Sequence, residues 1–443
     1  MLAQSTLNME RLAMKSLKSL AIVFCLLILS TRPCEPRAQA PDLTVILADR
    51  LIDGTGHSSI VDGQILIRGN RIENVGKAGS FPIPRGARKI DAKGKTLLPG
   101  FVDLHFHMEG RPQWAKQFLT NGITSVRDPG AWMEHFESLK KWQRENKIPG
   151  PRLFLCGPHL DGPGPAYPED SVVILSPDEA RIQTRRQIEQ GATAIKVYFR
   201  LPLDCIKAVA EEAHRLKVPV TAHLEIISPM EAIEAGLDGI EHITSLGLAL
   251  VPAMQGEKYR QAVLKDNNAR RLGRYGMWAS IDLDGPAARR LLQFLAARRT
   301  FIDPTLAVFE KRPGDPGEQM EIQARGWENM KRFTGMIHRA GGRLVVGSHS
   351  EVPHAEFGFA YHRELELLVE AGLTPLEALV AATKVGAEFL GRCNDLGTLE
   401  AGKLADIIAV DGNPLDNISA ARKVSLVIVD GVVIDRNKLV QKP

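Results

Sequence analysis

The chain has 443 residues, more than one ordinary domain and enough for an α/β barrel, which takes about 250. Its apolar fraction of 44% and charged fraction of 24% are those of a soluble globular protein. A net charge of +4, spread without runs, suggests neither a nucleic-acid groove nor a polybasic membrane patch.

The first forty residues read differently from the rest. Lys15 and Lys18 precede an unbroken apolar run, Leu20 to Leu29, and a polar stretch then ends in Ala38-Gln39-Ala40. A basic start, a short apolar core and a small-x-small site describe a secretory signal peptide over residues 1–40, cleaved after Ala40. The run falls short of the roughly 20 apolar residues that span a bilayer, and an uncleaved anchor is the alternative. Met14 is a second plausible start. Export to a periplasmic or extracellular space is therefore expected, without stable membrane insertion after cleavage. The mature chain keeps Cys156, Cys205 and Cys393, whose spacing is neither a zinc finger nor a disulfide framework, and buried thiols are expected.

Residues 41–98 read as short strands broken by Gly and Asn, with a hairpin signal at Gly69-Asn70. The same texture returns over 397–443, where Asp430-Gly431 marks another hairpin. Two strand-rich ends predict one β-sandwich domain assembled from both termini. Between them, residues 99–396 alternate apolar strands with amphipathic segments. Eight strand candidates occur in order: GFVDLHFH, GITSVRD, RLFLCG, AIKVYF, PVTAHL, GIEHIT, TFIDPTL and RLVVGSH. Eight strand-helix units favour an α/β fold of the (β/α)8 TIM-like type, whose chemistry sits at the C-terminal strand ends.

Those strand ends carry a distinctive set. The first gives His105 and His107, which at i and i+2 point the same way in a strand and so reach one metal. The fourth gives Lys196 inside an apolar run, the fifth His223, the sixth His242 and the eighth His349. Neutral imidazole is a common ligand for zinc and similar ions. Any one of these has a plainer reading, a hydrogen-bonded core histidine or a snorkelling lysine. Their conjunction at consecutive strand ends is what points to a metal site. His57, His135, His159, His214 and His338 fall outside those ends and read as surface or structural. His354 and His362 read as scaffold, and the Lys- and Arg-rich stretch 251–274 reads as a solvated lid or surface helix.

Longer motifs carry a family resemblance. LLPGFVDLHFH, NGITSVRDPG, ELELLVEAGLTPLEALVAAT and LGTLEAGKLADIIAVDGNPL resemble the amidohydrolase superfamily, near its imidazolonepropionase-like and prolidase-like branch. The resemblance covers nearly everything after residue 40. It implies a metal-dependent hydrolase of C–N bonds (amide, dipeptide or cyclic amide) acting through a metal-bound hydroxide. His105, His107, His223 and His242 match metal-ligand positions. Lys196 matches the lysine that CO2 converts to a bridging carbamate between two divalent ions, with zinc the first expectation. Mononuclear deaminases on this scaffold lack that lysine, so the binuclear branch is favoured.

His349 departs from the pattern, because the family carries aspartate there. A carboxylate can bind a metal and accept a proton at once, whereas a neutral imidazole has one free lone pair. His349 is thus ligand or base, but not both together, and Glu351 or Glu225 is a candidate substitute for the missing carboxylate. Hydrolysis is expected to survive, weakened. The alternative is a catalytically impaired pseudoenzyme, an exported protein that binds metal or ligand. Tyr198, two residues after Lys196, faces the same way and is placed to touch a substrate carbonyl unless it is structural. Arg127 is placed either to pair with a substrate carboxylate or to close a loop salt bridge. The expected partner is a small or dipeptide-like substrate and not nucleic acid, with a homo-oligomer left open.

Overall fold

A computed structural model describes residues 43–108, 114–145, 150–349, 351–356, 358–436 and 439. Residues 1–40, where the sequence predicts a signal peptide, lie outside the described residues. The strands in chain order are β1 (Leu43–Leu51), β2 (Ile60–Arg68), β3 (Arg71–Lys77), β4 (Arg88–Pro99), β5 (Phe101–Asp103), β6 (Ile123–Asp128), β7 (Arg152–Leu155), β8 (His159–Asp161) and β9 (Ser171–Val173). They continue with β10 (Ile195–Val197), β11 (Val220–His223), β12 (Gly239–Glu241), β13 (Phe301–Asp303), β14 (Arg343–Leu344), β15 (Ile407–Asp411), β16 (Val424–Val429) and β17 (Val432–Val433).

Both ends of the described chain meet in one seven-stranded sheet, ordered β17-β16-β15-β4-β1-β2-β3. The join is β4 against β15, antiparallel, with Leu98 opposite Ile408 and Leu97 opposite Ala409. Side chains alternate between the faces of a strand, and the packing follows that alternation. Leu97, Ile407, Ala409 and Ile428 enter a core internal to this sheet. Leu98, Ile408, Val410 and Val427 enter the main core instead. The sequence predicts a β-sandwich here, and the seven-stranded sheet with a core of its own supports that in part.

Both predicted hairpins form. Arg68 pairs with Arg71 around Gly69-Asn70, and Val429 pairs with Val432 around Asp430-Gly431. At the second turn Asp430 and Gly431 both have positive φ, 50° and 75°, the backbone that a two-residue hairpin turn of this kind requires.

The middle of the chain is a mixed α/β fold built on parallel strands. One sheet has seven, ordered β14-β13-β12-β11-β10-β8-β9, and another has three, β5-β6-β7. Leu104 N donates to Val346 O at 2.9 Å, linking the chain after β5 to the chain after β14. At the other edge Cys156 forms a parallel bridge with Ala194, joining the end of β7 to the start of β10. Connections at both edges are compatible with a closed (β/α)8 barrel. All eight predicted strands are present, and β8 and β9 are additions.

Helices follow the strands where local chemistry starts them. Ser176 caps Pro177–Glu189 by accepting from Glu179 N, with proline at the first turn. Thr374 and Glu377 form a reciprocal capping box before Pro375–Val380. Among the described residues no helix is long and apolar enough to cross a membrane. Cys156 and Cys205 are buried, whereas Cys393 is exposed.

Gly431 tests the sheet junction. A Cβ there would lie 2.1 Å from Gly69 O, in a backbone that side chains rarely adopt. Gly431→Ala is expected to cost ~1–3 kcal/mol, read as a lower urea midpoint at unchanged m-value. An unchanged midpoint would show that the two hairpin turns are not tightly packed.

Candidate metal centre

The C-terminal ends of the parallel strands open into a cavity of about 570 Å³. His105, His107, Lys196, His223, His242 and His349 all line it, as does Tyr198. The sequence-predicted set is therefore gathered in one place. Its tightest group is His105, His242 and His349, each offering a ring nitrogen within 4.8 Å of the others. His223 joins through His242, at a ring separation of 4.6 Å. His107 lies 5.2 Å from His105 and 5.3 Å from His349 between ring centroids.

Backbone geometry aims two of these rings. His242 and His349 have φ of 67° and 62°, a region unfavourable for most side chains and common at functional sites. The His349 N–H donates to His105 O at 2.6 Å, tying the eighth strand end to the first. The adjacent Gly347 has no room for a side chain, since a Cβ would lie 2.3 Å from Asp303 Oδ2 and 2.5 Å from His105 Cβ.

Burial sets the protonation of the cluster. Loss of water pushes His105, His107 and His242 well below the ordinary imidazole range, with neighbouring cationic groups adding to the effect. Burial likewise brings His223 and His349 down to about 4. Burial thus favours the neutral form of all five rings, the form that ligates metals. Burial first, and the Arg127 cation second, push Lys196 well below the ordinary lysine range.

Several buried polar atoms in this cluster have no hydrogen-bond partner among the described residues: Nε2 of His105, Nδ1 of His223 and both oxygens of Asp303. Each such orphan costs roughly 1–3 kcal/mol if nothing else satisfies it. Converging unpaired lone pairs beside carboxylates are the donor set of a cation site, so the residues fit divalent metal. His223 also shows the supporting arrangement of a metal-ligating imidazole. Its Nε2 lies 2.9 Å from Glu225 Oε1, leaving Nδ1 free.

Beneath the histidines lies a carboxylate that sequence reasoning passed over. Glu241 accepts from Arg127 Nη2 at 2.7 Å, from the Thr221 hydroxyl and from Lys196 Nζ. Its Oε2 also lies 3.0 Å from His105 Nδ1. Arg127 donates further to Leu104 O at 2.7 Å and Thr221 Oγ1 at 3.2 Å. The guanidinium is thus committed to the floor of the site and does not line the cavity. Of the two roles predicted for Arg127, pairing with a substrate is replaced by a buried ion pair.

Other expectations shift in the same way. His159, read as surface or structural, lines the cavity. Its ring stacks on Tyr198 at 4.8 Å, and a Cβ on Gly130 would meet its Nε2 at 2.2 Å. It sits on the unpredicted strand β8, which is why strand-end reasoning missed it. Stretch 251–274 belongs to two helices, Ala253–Lys265 and Ala269–Ala279; Arg270, Arg271 and Arg274 of the second line the cavity, and Arg270 and Arg274 are buried. Of the candidate substitute carboxylates, Glu351 lines the cavity, whereas Glu225 is held by His223, Tyr259 and Arg274. His214, His338 and His354 make peripheral ion pairs with Asp238, Glu377 and Asp315.

With this geometry in view, comparison with known proteins is informative. The amidohydrolase family model matches residues 96–434. The chain belongs to the amidohydrolase family. It is similar to the ochratoxinase of Aspergillus niger, 24% identical over 449 residues spanning 85% of this chain and 82% of the relative. Among solved structures it is similar to a putative prolidase from Bifidobacterium longum, with 26% identity and a TM-score of 0.69 over 89% of this chain and 95% of that one. A Xaa-Pro dipeptidase with bound methionine in its active site, 24% identical, gives a TM-score of 0.69 over 89% of this chain and all of its own. Members of this family generally hold two metal ions, and this chain presents a histidine cluster of the matching kind.

Proposed function

We propose that this protein is an exported, metal-dependent amidohydrolase that cleaves C–N bonds of amides or dipeptides within a (β/α)8 barrel. The observation that carries the reading is the convergence of His105, His242 and His349 in one cavity, with His105 Nε2 and His223 Nδ1 buried there and without a hydrogen-bond partner among the described residues. Two divalent ions, zinc first, held by His105, His107, His223 and His242 with carboxylated Lys196 between them, would supply a Lewis acid and a water nucleophile at neutral pH.

The chain's own groups have separable tasks in this reading. Lys196 must be a neutral amine to react with CO2, and its buried position favours that form. Once carboxylated it is an anion and parts from Glu241, whose charge Arg127 continues to balance. Tyr198, whose phenol burial pushes well above its ordinary value, remains a hydrogen-bond donor on the cavity wall. His349 serves as a ligand, since its ring packs against His105 at 5.0 Å inside the cluster. Glu351, exposed at the cavity, is the carboxylate available to accept a proton from the nucleophile. Likeness to a dipeptidase and to ochratoxinase supports an amide or peptide substrate. Export rests on residues 1–40 alone. Mass spectrometry of the exported protein is expected to show a chain beginning at Pro41; an intact N-terminus in membranes would favour the anchor.

Lys196→Ala is expected to lower zinc content below that of the unaltered chain, and short carboxylic acids to restore part of it. Elemental analysis showing full metal in Lys196→Ala would remove the bridging role. His349→Asp is the experiment on activity itself. General-base assistance is worth roughly 10²–10⁴-fold, so aspartate is expected to raise slow turnover on dipeptides and N-acyl amino acids plainly. A fast natural enzyme slowed by His349→Asp would show a mechanism adapted to histidine. Full metal with no turnover in either form would establish a binding protein.

A further inference from the structure

The cavity wall opposite the strand ends is formed by the helix Ala269–Ala279, and its charges do not balance. Arg274 lies near the Glu225 carboxylate, Nη1 to Oε1 at 3.8 Å, with its guanidinium 5.1 Å from the Phe309 ring. Glu225 is already occupied, since it also accepts from the Tyr259 hydroxyl and faces His223 Nε2. Arg270, one turn earlier and only 3% exposed, has no such partner among the described residues. Nη1 donates to Asn267 O and Nη2 to the Tyr167 hydroxyl at 3.1 Å, both uncharged acceptors. Nε is buried and bonds to nothing. The guanidinium lies 5.6 Å from the centroids of both the Tyr167 and Phe199 rings, so its orientation is fixed by aromatic faces.

A buried charge is normally paired, because removing an ion from water is costly. Here the unpaired cation lines the same cavity as the histidine cluster. Tyr198 spans the two, its ring 4.8 Å from His223 and 5.8 Å from Tyr167. A planar guanidinium with unused N–H groups matches a carboxylate, which can accept two of them side by side. A group bound there would be carried by a substrate whose scissile bond reaches the histidines.

We infer that Arg270 is the carboxylate-recognising residue of the cavity, making the substrate class acidic: N-acyl amino acids or peptides whose carboxylate reaches this wall. The inference rests on the C–N hydrolysis reading for what happens to the bond, but not for the binding preference. That carboxylate comes either from a chain terminus or from an acidic side chain.

Equilibrium binding by calorimetry to the metal-loaded protein separates these. The probes are N-acetyl-L-phenylalanine against its C-terminal amide, and N-acetyl-L-glutamate against N-acetyl-L-glutamine. Charge-assisted hydrogen bonds suggest roughly ten- to hundredfold tighter binding of the acid member. Preference in the phenylalanine pair identifies a terminal carboxylate, and preference confined to the glutamate pair identifies a side chain. Arg270→Met is expected to abolish the preference, and Arg270→Lys, which keeps the charge without the fork, to retain part of it. Equal binding of acid and amide by the unaltered protein would overturn the inference, as would an undiminished preference in either variant. Intact preference with no hydrolysis of any probe would instead sink the activity reading and leave this one standing.

Discussion

One carboxylate in the middle of the parallel strands, Glu241, is the interaction on which the site depends. It brings together a guanidinium, an amine, a hydroxyl and an imidazole at a depth where water is excluded. Any one of those groups would be expensive to bury alone, and together they cancel most of one another's desolvation cost. Arg127 reaches from the second predicted strand to the sixth to do this, and its second contact, with Leu104 O, fastens the first strand as well. The histidines then rest on a floor that is both rigid and close to neutral. Burial is the largest influence on each ring and disfavours the protonated form, even for His223 beside the Glu225 carboxylate.

The same floor explains why the arginines of the far wall differ. Arg127 is satisfied by Glu241 and serves structure, while Arg274 is met by Glu225 at longer range. Arg270 has aromatic rings and uncharged oxygens for company. Among the described residues these three buried guanidiniums hold three grades of neutralisation, and the least neutralised, Arg270, lines the cavity with an N–H to spare.

Much of this was legible in the sequence. Eight apolar strands and the polar residues ending them were readable because period and position both repeat, and the composite sheet followed from matched texture at the two ends. Glu241 was not. In a regular strand adjacent residues face opposite ways, so a glutamate beside a ligand histidine reads as pointing out. The positive φ of His242 breaks that alternation and lets both side chains serve one site. His159 escaped for lack of a visible strand, since His159–Asp161 is bounded by Pro158 and Gly162 and has a single aliphatic residue, Leu160. Arg270 and Arg274 looked like solvated charge because a basic helix reads as surface by composition. Only the fold shows that Tyr167, Phe199 and Phe309 cover it.

His349 belongs to the same lesson, for its meaning comes from what surrounds it. Replacing a carboxylate by imidazole removes one negative charge from the ligand layer. The layer beneath still holds two buried carboxylates, Glu241 and Asp303, the second lying 3.7 Å from His105 Nδ1 with neither oxygen hydrogen-bonded. Glu241 is already balanced by Arg127, so any offset for the charge lost at position 349 falls to Asp303. What is lost there is the pairing of ligand and proton acceptor in one side chain. Histidine fits the left-handed backbone at this position, as aspartate would, since both residue types are enriched in it. Metal retention and proton transfer are thus physically separate questions in this chain, and position 349 bears directly on the second.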